Sequence, residues 1–334
     1  MKRTEPPSQP PPFVTVVIRS YRRIPAMLEL LAACRAQEYP AFEILVVEQT
    51  GPERETHRAA LDAAQVDPRV RVLEVPPLGP AGARNRALLE ARGEVLLFMD
   101  DDDLPVGTGW LSAHARHFAD PLCLGVSGRQ VSTLTEDPTP HNTEANRRLC
   151  LRFTWFKMPR ARVRHTQPVR DVDLVTGGNG SYRREAVQRA GGWDEHWFGE
   201  EYSVLFRLLR VRRAGEYYAY EPEAVMLRRL DIGGGSERRL IPPAAVLREN
   251  LGYSHFVVGR YCRLRFRLCY PAYLVLAFVR ADDHLQRFSV AATSRWTRWT
   301  ALLAAYPATL AEVRASARAL AWRPIPEAAA PRGD

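Results

Sequence analysis

The sequence predicts an α/β fold, a mostly parallel sheet flanked by helices, followed by a helical C-terminal extension. Three features carry that reading. Short apolar runs alternate with helically spaced segments through the first hundred residues. Polar clusters stand directly after the first, second and fourth of those runs. Beyond residue 240 the chain turns arginine-rich and aromatic, at spacings compatible with helices.

The elements follow in order. Phe13 to Ile18 is a valine-rich run between prolines and polar residues, as expected of a buried strand. Residues 25–38 carry Met27, Leu28, Leu31 and Cys34 at helical spacing. Phe42 to Val47 is a second strand, residues 53–65 a helix and Val70 to Val75 a third strand. Gly82 to Arg92 is helical and Val95 to Met99 is a fourth strand. Ligands of such sheets bind beyond the carboxyl ends of the strands. Arg19-Ser20-Tyr21, Glu48-Gln49 and Asp100 to Asp103 occupy those ends, so topology alone sends them to one crevice.

Composition narrows the classes. A chain of 334 residues, 46% hydrophobic, buries a real core. Its net charge of +9 calls for an anionic partner: a phosphorylated ligand, an acidic membrane surface or nucleic acid. Five cysteines without a CxxC pair read as ordinary reduced thiols and argue against a structural zinc. The beginning is polar and proline-rich, with no apolar leader. The apolar stretch Leu268 to Val279 has about half of the ~20 residues a spanning helix needs, and it contains Pro271. The expectation is a cytoplasmic protein with no transmembrane helix.

Four consecutive aspartates follow the fourth strand in GEVLLFMDDDDLP. Side chains two residues apart on an extended segment share a side, so Asp100 and Asp102 can converge. Two close carboxylates repel, and an oxygen-ligated Mg²⁺ or Mn²⁺ relieves that repulsion while neutralising a bound diphosphate. A solvated acidic turn is the plainer alternative, and the position at the end of a buried strand weighs against it. Neither a dinucleotide fingerprint nor GxxxxGK[ST] is present.

Taken in order, five motifs make the chain similar to the inverting glycosyltransferases of family 2, which have the GT-A fold. These are FVTVVIRSYRR, FEILVVEQ, GPAGARNRALLEARGEVLLFMDDDDLP, VTGGNGSYRREAVQRAGGWDE and WFGEEYSVLFRLLRVRRAG, covering roughly residues 13–230. The resemblance implies a nucleotide-sugar donor held by Ser20, Tyr21, Glu48, Gly82, Arg84, Asn85, Asp100 and Asp101. It also implies a metal-binding pair, Asp100 and Asp102, with Asp102 the direct ligand of a divalent cation. Gly178, Asn179, Trp193 and Asp194 fall on the acceptor side, where the glycines also fit ordinary turns and Trp193 fits either sugar stacking or the core.

Inversion requires a carboxylate to take the acceptor hydroxyl's proton. Glu200 and Glu201 precede Val204, Leu205, Leu208 and Leu209, so they start a predicted helix, where the dipole favours an ionised carboxylate. The family pattern there is Glu-Asp with the aspartate as base, which places Glu201 in that role and leaves Glu200 as the substitute. Relatives often supply a metal-binding histidine after a PEAV-like segment; here Arg228 stands there, which implies that a guanidinium takes over part of the metal's charge-neutralising role and weakens metal dependence.

Residues 1–12 read as a disordered proline-rich tail, 13–240 as the GT-A domain, 241–323 as a basic helical region and 324–334 as a second tail. Segments 245–267 and 284–322 fit helices, with Pro307 expected to break or kink the second. The arginines there alternate with Tyr253, Phe256, Tyr261, Phe266, Trp296, Trp299 and Trp322, which suits either an anionic membrane surface on the cytoplasmic face or a helical cap. No nucleic-acid-binding motif is present. The predicted activity is transfer of a sugar from a UDP- or dTDP-sugar to a saccharide or lipid-linked saccharide, as in polysaccharide or glycoconjugate assembly. The alternatives are a catalytically degenerate GT-A protein that binds nucleotide or glycan, and, less favoured, a sugar-nucleotide pyrophosphorylase.

Overall fold

The structure is a computed structural model and describes residues 10–132, 148, 150–160, 165–195, 200–229, 232, 242–288 and 294–319. The first hundred described residues alternate as the sequence predicts: β1 (Val14–Ser20), α1 (Ile24–Arg35), β2 (Phe42–Glu48), a 3₁₀ turn leading into α2 (Arg58–Ala64), β3 (Val70–Glu74), α3 (Gly79–Glu90) and β4 (Val95–Asp100). Then come β5 (Asp103–Pro105), α4 (Trp110–Ala115), β6 (Cys123–Ser132), a small hairpin of β7 (Arg152–Phe153) and β8 (Pro159–Arg160), β9 (Val169–Val172), β10 (Gly180–Arg183), α5 (Arg184–Ala190), α6 (Glu200–Val211) and β11 (Tyr217–Arg228).

The large sheet runs β3-β2-β1-β4-β10-β6-β11-β5, with β9 also paired to β11. Its β3-β2-β1-β4 half is parallel. Strand β10 is antiparallel to both neighbours, β4 and β6. Alternation along β1 sends Val14, Val16 and Ile18 to one face, packed with α1 and Trp110, and Val17 to the other, packed with Ala83, Ala87 and Val204. With both faces covered, β1, β2 and β4 are mainly apolar, and a polar pair buried among them, Thr15 and Glu43, bonds internally at 2.9 Å.

The extension consists of α7 (Pro243–Gly252), a π-helical stretch Tyr253–Val258, α8 (Arg263–Leu268), α9 (Tyr270–Phe288) and α10 (Arg295–Ala319). Its side chains form two apolar clusters. Two expectations are corrected here. Residues 270–288 are helical as well, with Pro271 in the first turn, where its missing N–H costs no bond. Pro307 does not end α10: the carbonyl it deprives of a partner is that of Leu303, on an exposed turn that water reaches. Of the aromatics that fitted either a membrane surface or a helical cap, Trp299 stacks on Phe278 at 5.8 Å, and Tyr253 and Phe256 are buried, as in a packed cap. Trp322 and the tails 1–9 and 324–334 lie outside the described residues. All five cysteines are free thiols. No helix among the described residues is long and apolar enough to cross a membrane.

Candidate active site

Strand register assembles the acidic cluster. Arg19 on β1 is the direct partner of Asp100 on β4, and Arg228 on β11 is the direct partner of Asp103 on β5. The chain turns at Asp101 and Asp102, so Asp103 joins the cluster, which the reading of an extended segment left out. Oxygens of Asp100, Asp102 and Asp103 lie within 4.8 Å of one another.

Three arginines neutralise the quartet. Arg19 pairs with Asp100. Arg23 Nη1 is 3.1 Å from Asp101 and 3.0 Å from Asp102. Arg228 donates to Asp103 from Nε at 3.0 Å and Nη2 at 3.1 Å, and from Nη2 to Asp100 at 3.2 Å. Of these three, Arg19 was expected in the same crevice from its strand end and Arg228 near the phosphate; Arg23 was not singled out. Burial works to raise the Asp100 pKa, but the charges of Arg19, Arg228 and Arg84 outweigh it and hold it at about 2. Burial prevails at Asp103, pushed up to about 7 against the pull of Arg228. It also prevails at Asp101, pushed up to about 6 although the Tyr21 N–H and Arg23 bond to it.

Glu201 lies in the first turn of α6, as expected, with its side chain about one-third exposed. Arg84 Nη2 is 3.1 Å from Glu201 Oε1, and Arg84 itself is 1% exposed. The arginine expected near a phosphate therefore lies beneath the candidate base and aims it. The side chain of Glu200 lies outside the described residues.

Gly177 and Gly178 separate the two carboxylate sites. A Cβ on Gly177 would fall 1.9 Å from Glu201 Oε1. One on Gly178 would fall 2.7 Å from Arg228 Nη2, 3.1 Å from Asp103 and 3.4 Å from Asp100. Consecutive Cα atoms are about 3.8 Å apart, so a single bare peptide divides the candidate base from the acidic cluster.

Several expected ligand contacts are used elsewhere. Asn179 is fully buried, and its side chain is saturated. Its Oδ1 accepts from Trp110 Nε1 at 2.8 Å and faces His114 Nε2 at 3.0 Å, while Nδ2 donates to the carbonyls of Arg129 and Ala224. No polar atom of that side chain is left for a sugar. Trp193, 1% exposed, meets Phe98 edge-on at 5.1 Å, which decides its case for the core over sugar stacking. Asp194 is 2.6 Å from Arg207 and accepts the Tyr261 hydroxyl at 2.6 Å, tying the sheet to the extension. Asn85 holds the same loop through both backbone groups of Trp193 and through Glu195. Gly82 is buried against Leu78.

Around the expected nucleoside position, Ser20 and Glu48 are both fully buried. Glu48 accepts the Thr50 N–H at 2.7 Å and faces Arg54 at 3.2 Å. Tyr21, 38% exposed, is the residue of the three with ring surface open to a ligand.

This architecture is shared with proteins of known structure. A mannosyltransferase from Pyrobaculum calidifontis, solved with GDP-mannose and Mn²⁺, superposes with a TM-score of 0.56 at 18% identity, over 97% of this chain and 84% of its own. Staphylococcus aureus TarS residues 1–349, solved with UDP-GlcNAc, gives 0.51 at 13% identity over 91% and 92%. The fold is thus the GT-A fold. In sequence, the pre-mycofactocin glycosyltransferase of Mycobacterium tuberculosis is 31% identical over 150 residues, 44% of this chain and 29% of that protein. The poly(ribitol-phosphate) β-N-acetylglucosaminyltransferase TarS is 27% identical over 169 residues, 48% and 29%. The matched part spans less than a third of either protein. Residues 15–191 match the model of glycosyl transferase family 2, and the chain belongs to that family.

Proposed function

We propose that this protein is an inverting glycosyltransferase that moves a sugar from a UDP- or dTDP-sugar to a hydroxyl of a saccharide or lipid-linked saccharide. The observation that carries the reading is the pair of carboxylate sites on either side of Gly177-Gly178. In this mechanism Glu201, held by Arg84, takes the acceptor hydroxyl's proton. The oxygen attacks the anomeric carbon, the bond to the diphosphate breaks on the opposite face, and the nucleoside diphosphate leaves with its electron pair. Tyr21 contributes a face for the nucleoside.

The three clustered carboxylates suit a hard divalent cation, the donor set expected for Mg²⁺ or Mn²⁺. Asp100 and Asp102 would hold it, and it would supply neutralising charge to the diphosphate. Arg19, Arg23 and Arg228 already supply cationic charge to the same carboxylates. Arg228 is therefore both a competitor for the cation and a phosphate partner, and weak metal dependence follows.

A thermal-shift panel of UDP, dTDP, GDP and their sugars tests this, each with Mn²⁺, Mg²⁺ or chelator, because a ligand of the native state raises Tm. We expect one nucleotide to stabilise the protein even in chelator. Arg228→Ala should weaken that metal-free binding about tenfold, roughly the 1.4 kcal/mol of one charge-assisted contact, and make the remainder metal-dependent. If no nucleotide raises Tm, the proposal fails. If Arg228→Ala changes nothing, the role given to Arg228 fails alone.

A further inference from the structure

One exposed apolar surface is absorbed by neither the core nor the active site. The β7–β8 hairpin carries Trp155 at its tip, 63% exposed. Beside it, α8 presents Leu264 and Leu268, one helical turn apart and 73% and 74% exposed. The three line one groove of 520 Å³.

The tip is firmly built. Thr154 N donates to Met158 O at 2.9 Å, and Lys157 N donates to Thr154 O at 2.8 Å, closing the turn. Arg265 donates to the Trp155 carbonyl at 2.8 Å and lies over its indole at 5.1 Å. Phe156, next to it, packs inward against Tyr273. The Tyr253 hydroxyl donates to the Lys157 carbonyl at 2.7 Å. Trp155 is thus held outward by a fixed frame.

The charged side chains that line the groove are all basic. Lys157, Arg263 and Arg265 line it, Arg267 follows, and neither residues 145–170 nor 250–281 contain an aspartate or glutamate. We infer that this face docks on an anionic lipid surface, with Trp155, Leu264 and Leu268 entering the interface and the basic side chains meeting headgroup phosphates. Tryptophan favours the membrane–water boundary, and apolar burial adds to attraction by clustered cations. A second copy of this chain would set two basic faces together, and a nucleic-acid backbone would leave Leu264 and Leu268 without an apolar partner.

The face also bears on the acceptor. Phe153 of the hairpin packs on Phe206 of α6 at 4.9 Å, and the first turn of α6 carries Glu201. A docked enzyme would meet a lipid-linked acceptor from the membrane side; this consequence rests on the proposed function, whereas the docking does not.

The test is co-sedimentation of the full chain with phosphatidylglycerol or phosphatidylcholine vesicles across a salt series. Wild type should bind the anionic vesicles at least about tenfold more strongly, with binding falling as salt rises. The triple variant W155A/L264S/L268S should lose about tenfold or more of that binding. Arg263→Gln with Arg267→Gln should lose the preference for anionic lipid. Unchanged Tm in these variants shows that the fold is intact, and an unchanged nucleotide-induced shift separates docking from catalysis. Absence of wild-type binding overturns the inference, as does full binding by the triple variant. A concentration-dependent dimer that the triple variant abolishes would also overturn it, assigning the face to a protein contact.

Discussion

The two carboxylate sites flanking Gly177-Gly178 are separated by one peptide yet compensated in opposite ways. Four aspartates on one side meet three arginines, and every one of the four has a cationic partner. On the other side Glu201 has Arg84 beneath it and keeps a third of its side chain open. Asp101 and Asp103 are buried among those cations, whereas Glu201 is open on one side to an incoming hydroxyl. The proposed mechanism gives charge handling to the aspartate side and proton transfer to the glutamate side.

The most severe way to test that division is Glu201→Gln, which keeps the Arg84 contact and removes the base. We expect transfer to fall about 1000-fold while nucleotide binding is retained, measured by single-turnover kinetics beside thermal shift. A drop in nucleotide affinity of similar size would show that the two sides are not separable.

Acidification probes the scaffold behind both sides. His114, buried against Asn179 Oδ1, has its pKa pushed down to about 4 by burial, against the opposing hydrogen bond. The unfolded chain therefore binds the proton first. Stability contributed by neutral His114 is complete above about pH 6.5 and declines as pH falls toward 4, by about 3 kcal/mol at pH 4. Urea midpoints measured across that window should fall more steeply in wild type than in His114→Gln. Equal slopes would remove His114 from the scaffold.

A finer test distinguishes the glycines. Gly177→Ala presses on Glu201, so transfer should fall about 10- to 100-fold with nucleotide binding intact. Gly178→Ala presses on Arg228, whose side chain can shift, so nucleotide binding should fall by a few-fold. Both are read by comparing kcat with the nucleotide dissociation constant, and the reverse pattern would break the assignment.

Much of this was legible in the sequence. The parallel half-sheet was readable because a strand buried on both faces must be a continuous apolar run. The acidic cluster was readable because it follows such a run; the helix start at Glu200-Glu201 was readable too, but only the resemblance to the family's Glu-Asp pattern singled out Glu201. Asn179 and Asp194 were placed on the acceptor side because a polar residue looks the same in sequence whether it faces a ligand or a partner 60–70 positions away, while Trp193, which fitted either sugar stacking or the core, is in the core. Asn179 meets Trp110 and His114, and Asp194 meets Tyr261.

By itself the sequence determined the alternation of strands and helices, the polar strand ends and the presence of a carboxylate cluster, all set by local periodicity and burial. Only the tertiary structure decided which cations cover which carboxylates. Arg19 reaches Asp100 across 81 positions, Arg84 reaches Glu201 across 117, and Arg228 reaches Asp103 across 125. The first and last of these pairings depend on strand register and the second on the packing of α3 against α6, none of which leaves a mark in local sequence.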